Sequence, residues 1–302
     1  MKNTLIIALF LLALFSTGLK AQDKKDTRIR VIAIFAHPDD GDSKMGGTAT
    51  LWAKMGVAVK FLSLTNGDAG HFKEGGGALA KRRREEARCA AKKYGIDEYT
   101  VLDNHDGELQ PDLNVRLQVI REIRKWNADV VIGMRPNDYH PDHRNSGKLV
   151  EDASYMVTVP NVANDVPALK KNPLFLYMQD HFKKPNPFSH DIVVGIDEVI
   201  DIKFDGLNEH ISQVYEWLPW IGNGGEIDKS VPIDPVERKI WLKKKWIDKS
   251  IMSDDQKAGL EKWIGKEKAA AFKYAESFEI TEYGSQPSEA DIRRLFPMLN
   301  QQ

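Results

Sequence analysis

The apolar positions of this chain fall into short continuous runs separated by amphipathic stretches. Residues 30–36, RVIAIFA, form the unbroken apolar run expected of a strand buried on both faces of a parallel sheet. Residues 47–56, GTATLWAKMG, read as a helix closed by Gly56, and 57–65, VAVKFLSLT, as the next strand. The alternation continues through a glycine-rich loop at 66–77, a helix over 78–94 with Gly95 at its end, a strand at 99–103, a helix at 113–127 and a strand at 129–135. A helix after Arg144 (GKLVEDASYMV), strands at 173–179 and 191–197, and a helix at 204–219 ended by Pro219 follow. Strands alternating with helices predict an α/β fold, a doubly wound and mostly parallel sheet with helices on both faces.

Two segments depart from that rhythm. From about Gly222 the sequence turns rich in lysine, tryptophan and acids, which predicts two or three helices packed on the sheet; the lysine run reads as a solvated helix face. At the other end, Lys2 is followed by about 14 mostly apolar residues and small residues up to Ala21, then by the charged stretch QDKKDTR. That is a signal-peptide pattern, too short for a membrane span of roughly 20 residues. The expected organisation is a signal peptide at 1–21, a catalytic-type α/β domain at 22–221 and a helical extension at 222–302. The expected location is periplasmic or secreted, with no stable membrane insertion after cleavage.

Charge and cysteine content narrow the classes. The formal net charge of −1 becomes −3 once Lys2 and Lys20 leave with the leader, so nothing points to nucleic acid. Cys89 is the sole cysteine and excludes an intrachain disulfide; its helical setting reads as a small buried hydrophobe. Assembly into oligomers stays open.

Chemistry concentrates at two strand ends. HPDD (37–40) follows the first strand and YHPDHRN (139–145) follows the strand at 129–135. In open α/β sheets ligands gather beyond the carboxyl ends of strands, so two His/Asp clusters there can converge if their strands are neighbours. His-Pro-Asp alone can be a turn that caps a helix. Paired, the clusters suggest a metal held by nitrogen and oxygen ligands with one position open, the pattern of a catalytic site. Three histidines and two or more acids exceed what three ligands need, which leaves groups for proton transfer.

AHPDDGDSKMGGT (36–48), TNGDAG (65–70), RRREEARCAAKKYG (82–95), DGEL (106–109), HPDH (140–143) and HISQ (210–213) together resemble the motifs of the LmbE-like or PIG-L family of zinc-dependent de-N-acetylases. The resemblance spans roughly residues 30–215 and implies a Rossmann-like fold. It implies His37, Asp40 and His143 as metal ligands and Asp39 as general base. His140 would be the acid or oxyanion-stabilising histidine, with Asp142 orienting it. The metal implied is Zn2+, with Fe2+ suited to the same ligands. Asp42 stands where many members carry Glu, and the "SK" after it replaces apolar and small residues, which leaves GDSK unexplained.

Candidate substrate contacts are Arg84, Asp106, Tyr139 and Gln213, each with a plain structural alternative: a helix-surface charge, a turn residue, a packed aromatic and a packed helix face. Gln213 and His210 lie three apart on one predicted helix face, so one can reach a pocket while the other packs. The loop with His71 and EGGG (74–77) lacks a P-loop lysine and reads as a cover over substrate; His105 reads as a loop residue. Five of seven tryptophans lie in the C-terminal third, and Trp217 and Trp220 are placed to line a pocket mouth.

The expected function is an exported metal-dependent hydrolase that removes acetyl from an N-acetylated amino sugar or glycoconjugate through activated water. Another metal-dependent amide or ester hydrolase, or a non-catalytic carbohydrate-binding relative, remain as alternatives.

Overall fold

A computed structural model describes residues 27–302; the leader segment at 1–21 lies outside the described residues. Seven strands form one sheet: β1 (Arg30–Phe35), β2 (Ala58–Thr65), β3 (Glu98–Asn104), β4 (Val130–Gly133), β5 (Leu174–Met178), β6 (Ile192–Gly195) and β7 (Ala275–Gly284). Between them run α1 (Asp40–Lys54), α2 (Gly76–Tyr94), α3 (Leu113–Trp126) and α4 (Pro141–Met156). After β6 come α5 (Ile200–Leu207), a π-helical segment Ser212–Trp217, α6 (Leu218–Gly222), α7 (Pro235–Trp246), α8 (Asp254–Ile264) and α9 (Lys266–Ala269), and α10 (Glu289–Leu295) follows β7.

The strand order is β3-β2-β1-β4-β5-β7-β6. The pairs β3–β2, β2–β1, β1–β4 and β4–β5 are parallel, whereas β7 is antiparallel to both its neighbours. The chain winds from β1 outward through β2 and β3, then returns to β4 on the other side of β1. A doubly wound sheet opens its ligand crevice at that reversal. Both motif-bearing strand ends therefore border the crevice.

The apolar run of β1 divides between two cores by alternation. Val31, Ala33 and Phe35 pack in one cluster with Trp52 of α1, Ala87 and Tyr94 of α2 and Phe204 of α5. Ile32 and Ile34 face the other, with Val119, Ile120 and Ile123 of α3 and Leu149 and Ala153 of α4. A strand buried on both faces explains why this run is continuous rather than alternating.

Three expectations change. The C-terminal segment is not wholly helical, because β7 inserts between β5 and β6. Its sequence AESFEITEYG lacks an unbroken apolar run, and its glutamates disguise it as surface although its first four residues are buried. One of them, Glu276, is buried: it accepts from Lys203 Nζ at 2.8 Å, from the Gly47 and Thr48 amides at 3.0 and 2.6 Å, and from the Thr48 hydroxyl at 2.7 Å. The helix expected over 204–219 is broken into α5 and the π-helical segment, and Pro219 sits in the first turn of α6 rather than ending a helix. α1 starts at Asp40 rather than 47, kinked at Met45, where φ is −147° and ψ 17°.

The Glu276 cluster ties the C-terminal strand to the helix that follows HPDD. Glu276→Gln strips the charge partner from Lys203, itself 5 % exposed, and breaking a buried pair by removing one member costs about 3–5 kcal/mol. Urea denaturation should show a loss of that size, and adding Lys203→Met should restore part of it.

Gly147 lies one turn beyond His143 in α4, where a Cβ would come within 2.6 Å of the Met134 carbonyl oxygen. Gly147→Ala should push the helix off β4 and destabilise the protein by roughly 1–3 kcal/mol, as overpacking does; thermal denaturation measures it.

Candidate active site

β1 ends at Phe35, and Pro38 stiffens the turn so that His37, Asp39 and Asp40 stand above the crevice. The Asp39 and Asp40 amides both donate back to the His37 carbonyl, at 2.8 and 3.2 Å, which fixes the turn. Across the crevice His140 caps α4 and Pro141 occupies its first turn, where its missing N–H costs nothing. The two stretches meet: His37 Nδ1 and His143 Nε2 are 3.2 Å apart.

The Asp40 carboxylate completes a triangle, with Oδ2 3.5 Å from His37 Nδ1 and Oδ1 3.3 Å from His143 Nε2. Tetrahedral zinc with bonds of ~2.0–2.1 Å requires donor atoms about 3.3–3.4 Å apart. These nitrogen and oxygen donors suit such a metal in chemistry, and the two histidine nitrogens already stand near that spacing, while Asp40 faces each of them with a different oxygen. Two overlapping triads, His37/His140/His143 and His37/Asp106/Asp142, each bring one donor atom per residue within 4.8 Å of one another. In the second, both Asp142 oxygens are already engaged, since Oδ2 accepts from the Gly107 amide at 2.7 Å and Oδ1 from the Leu109 amide at 3.2 Å.

The other nitrogen of His37 and of His143 is also held. His37 Nε2 lies 3.0 Å from Asp106 Oδ1 and 3.3 Å from Asp142 Oδ2, and His143 Nδ1 lies 3.0 Å from Asp138 Oδ1. Carboxylates behind metal-binding imidazoles fix tautomer and orientation, and this arrangement is characteristic of such ligands. Burial disfavours charge on His37, yet the hydrogen bonds it donates to Asp106, Asp142 and Asp40 outweigh it and raise its pKa well above the ordinary value. Burial likewise works against His143, but Asp40 and Asp138 lift it to about 9. Asp106 is drawn down to about 2, the His37 interaction overcoming its burial.

Asp39 is held apart from the triangle. Its Oδ1 accepts from Arg83 Nη2 at 3.1 Å, and burial raises its pKa despite the guanidinium. His140 Nδ1 accepts from the Asp142 amide at 3.2 Å, which in a neutral ring places the proton on Nε2. Burial and the neighbouring His37 and His143 keep its pKa below the ordinary value. Asp142 contacts His140, as expected, but through its backbone N–H, while its carboxylate serves His37 and the 107–109 loop.

His37, Asp39, Asp40, Arg83, His140 and His143 line a cavity of about 360 Å³. Asp106, Tyr139 and Gln213 line it as well. Tyr139 is 72 % exposed at the rim, Gln213 Nε2 donates to the Gly70 carbonyl at 3.0 Å, and Asp106 acts chiefly on His37. Arg84 does not reach the cavity: it points outward to Asp103 at 3.4 Å. Its neighbour Arg83, 2 % exposed, takes the place expected for it, because one residue along a helix turns the side chain by about 100°. Arg83 and Asp138 are the two groups the sequence reading missed. Asp138 carried a weak signal in its position two residues before HPDH.

GDSK now has structural roles. Gly41 is packed so closely that a Cβ would lie 2.3 Å from the Phe35 ring. Asp42 is fully buried and accepts from Tyr99 Oη at 2.8 Å, with His210 Nε2 2.9 Å away, while Lys44 Nζ donates to the Gln179 carbonyl at 3.0 Å. So His210 packs behind the site while Gln213 faces it. Trp217 lines the cavity and Trp220 stacks behind it, followed by Phe72 and His71 from the glycine-rich loop. Trp246 of α7 completes the wall, so the C-terminal segment contributes to the cavity directly. His105 is not alone in its loop but meets Asp68 at 2.7 Å, and Cys89 is only partly buried.

Residues 32–154 match the model of the family described as PIG-L: GlcNAc-PI de-N-acetylase. The diacetylchitobiose deacetylase of Thermococcus kodakarensis is 31% identical over 200 residues, 63% of this chain and 73% of that protein. A probable N-acetyl-alpha-D-glucosaminyl L-malate deacetylase 2 of Bacillus cereus is 30% identical over 198 residues, 62% of this chain and 85% of that one. Among solved structures, N,N'-diacetylchitobiose deacetylase from Pyrococcus horikoshii superposes with a TM-score of 0.61 at 24% identity, covering 87% of each chain. The 4-carboxy-2-hydroxymuconate hydratase of Pseudomonas putida superposes with 0.62 at 18% identity, covering 86% of this chain and 98% of that one. The fold alone therefore does not fix the reaction, and the argument rests on the site. With its paired His/Asp motifs converged at the switch point, the chain belongs to the PIG-L (LmbE-like) de-N-acetylase family.

Proposed function

We propose that this protein is an exported, zinc-dependent hydrolase that removes the acetyl group from an N-acetylated amino sugar or glycoconjugate. The observation that carries the reading is the His37–Asp40–His143 triangle with Asp39 and His140 on the same cavity. The names of the relatives support an N-acetylated sugar as substrate. The apolar stretch ending at Ala21 supports export. Among the described residues no helix is long and apolar enough to cross a membrane.

His37 Nδ1, His143 Nε2 and Asp40 would hold the metal. When bound, zinc supplies an acidified water and a polarised amide carbonyl. Asp39, raised in basicity by burial and steadied by Arg83, accepts a proton from the attacking water. His140 donates from Nε2 to the amide oxygen as negative charge builds there, the role of an oxyanion donor. The C–N bond breaks, acetate leaves, and the proton taken by Asp39 is the one the departing amine requires. Asp106 and Asp138 hold the two imidazoles in place throughout.

Metal removal tests this reading. Exhaustive chelation should abolish acetate release from N-acetylglucosamine glycosides, and Zn2+ or Fe2+ should restore it. Full activity in protein shown by elemental analysis to be metal-free would overturn it.

A further inference from the structure

The catalytic cavity does not end at Trp246. A second cavity of about 570 Å³ lies beyond it, and Ser43, Tyr139, Leu207 and Trp246 belong to the walls of both. The second space is the larger of the two, and none of the proton-transfer or metal-binding groups described above faces it. A substrate whose N-acetyl group sits at the triangle therefore has room to extend past Tyr139 and Trp246.

Two cations on this second wall lack an ionic partner. Lys44 Nζ donates to the Gln179 carbonyl at 3.0 Å, leaving two of its N–H bonds free, and Lys249 Nζ stands 4.4 Å from the centroid of the Trp246 ring. Among the described residues neither ammonium belongs to an ion pair. Of the other charges on this wall, Lys203 is paired with Glu276 at 2.8 Å, and Asp180 lies 3.6 Å from Arg135, which it shares with Glu279, accepts from the Phe182 amide and feels the charge of Lys44 from beyond ion-pair distance. The lining thus carries three lysines, Lys44, Lys203 and Lys249, against two acids, Asp180 and Glu276, one positive charge in excess in a concave wall, which concentrates field on an anion. Lys44 is also part of the segment that sets this chain apart from the family pattern, and Lys249 comes from the C-terminal segment outside the family match.

We propose that the second cavity is a subsite for an anionic group, carboxylate or phosphate, carried by the part of the substrate that stays attached to the amino sugar, with Lys44 and Lys249 as its partners. This rests on the deacetylase reading and specifies its substrate class. A charge-assisted contact in a half-open cavity is screened by salt, so the preference should shrink as ionic strength rises.

The test uses three glycosides of N-acetylglucosamine of equal length, ending in a carboxylate, a phosphate monoester or a neutral carboxamide. With metal-loaded enzyme at low salt, kcat/KM for at least one anionic compound should exceed that for the carboxamide by about tenfold, mainly through KM. In Lys44→Met/Lys249→Gln the anionic-to-neutral ratio should fall to about one, and in Lys249→Glu below one. A ratio near one in the native chain, or a ratio unchanged in the double variant, would overturn the proposal. Carboxylate and phosphate arms identify which anion is preferred. Calorimetric binding of the same compounds keeps the two claims apart: if none releases acetate the deacetylase reading fails, and the presence or loss of anion-dependent affinity still decides the subsite.

Discussion

His143→Ala should leave a folded protein that no longer retains metal and has lost more than about a hundredfold of its turnover. Changing a group that merely supports a metal ligand costs about 10–100-fold in affinity or activity, and on the proposed reading His143 is itself one of three donors. It also connects the two halves of the site, with Nε2 facing His37 and Asp40 and Nδ1 facing Asp138. Elemental analysis of purified protein reads the metal, and circular dichroism verifies the fold. Native metal content together with native turnover would remove His143 from the site.

Asp39→Asn separates proton transfer from metal binding. Asparagine keeps the size of the side chain and an oxygen for Arg83, but it cannot accept a proton from water. Metal content should stay native while kcat falls by roughly 10²–10⁴, the usual worth of a positioned general base. Near-native turnover would show that the base lies elsewhere.

The comparison of sequence and structure follows the reach of each signal. HPDD and HPDH were legible because each lies within a few residues of the carboxyl end of an apolar run that reads as a buried strand, and β1 and β4 prove to be adjacent. The pairing of Asp42 with His210 was not, because it joins residues 168 positions apart and neither carries a local mark of its partner. The three arginines 82–84 are chemically identical in sequence, and only the phase of α2 separates them. Arg82 pairs with Glu216, Arg83 with Asp39 and Arg84 with Asp103. β7 escaped because its buried glutamate is neutralised by a lysine on a distant helix, a contact that composition cannot show.

The same distinction applies to the catalytic residues. The residue types that converge were readable from chemistry, whereas their mutual contacts were not: Asp106, expected at the substrate, lines the cavity and also holds His37, and Asp142 supports His37 with its carboxylate and His140 with its amide. Such roles depend on which atom faces which, and a linear sequence carries residue types without directions.

The most direct measurement follows both products from an N-acetylglucosamine glycoside incubated with zinc-loaded protein, by proton NMR. The account predicts one acetate and one free amine for each turnover, with the glycosidic bond intact, and no reaction in Asp39→Asn or His143→Ala. Glycosidic cleavage with the acetyl group retained, or no acetate from any N-acetylated sugar at full metal occupancy, would contradict it.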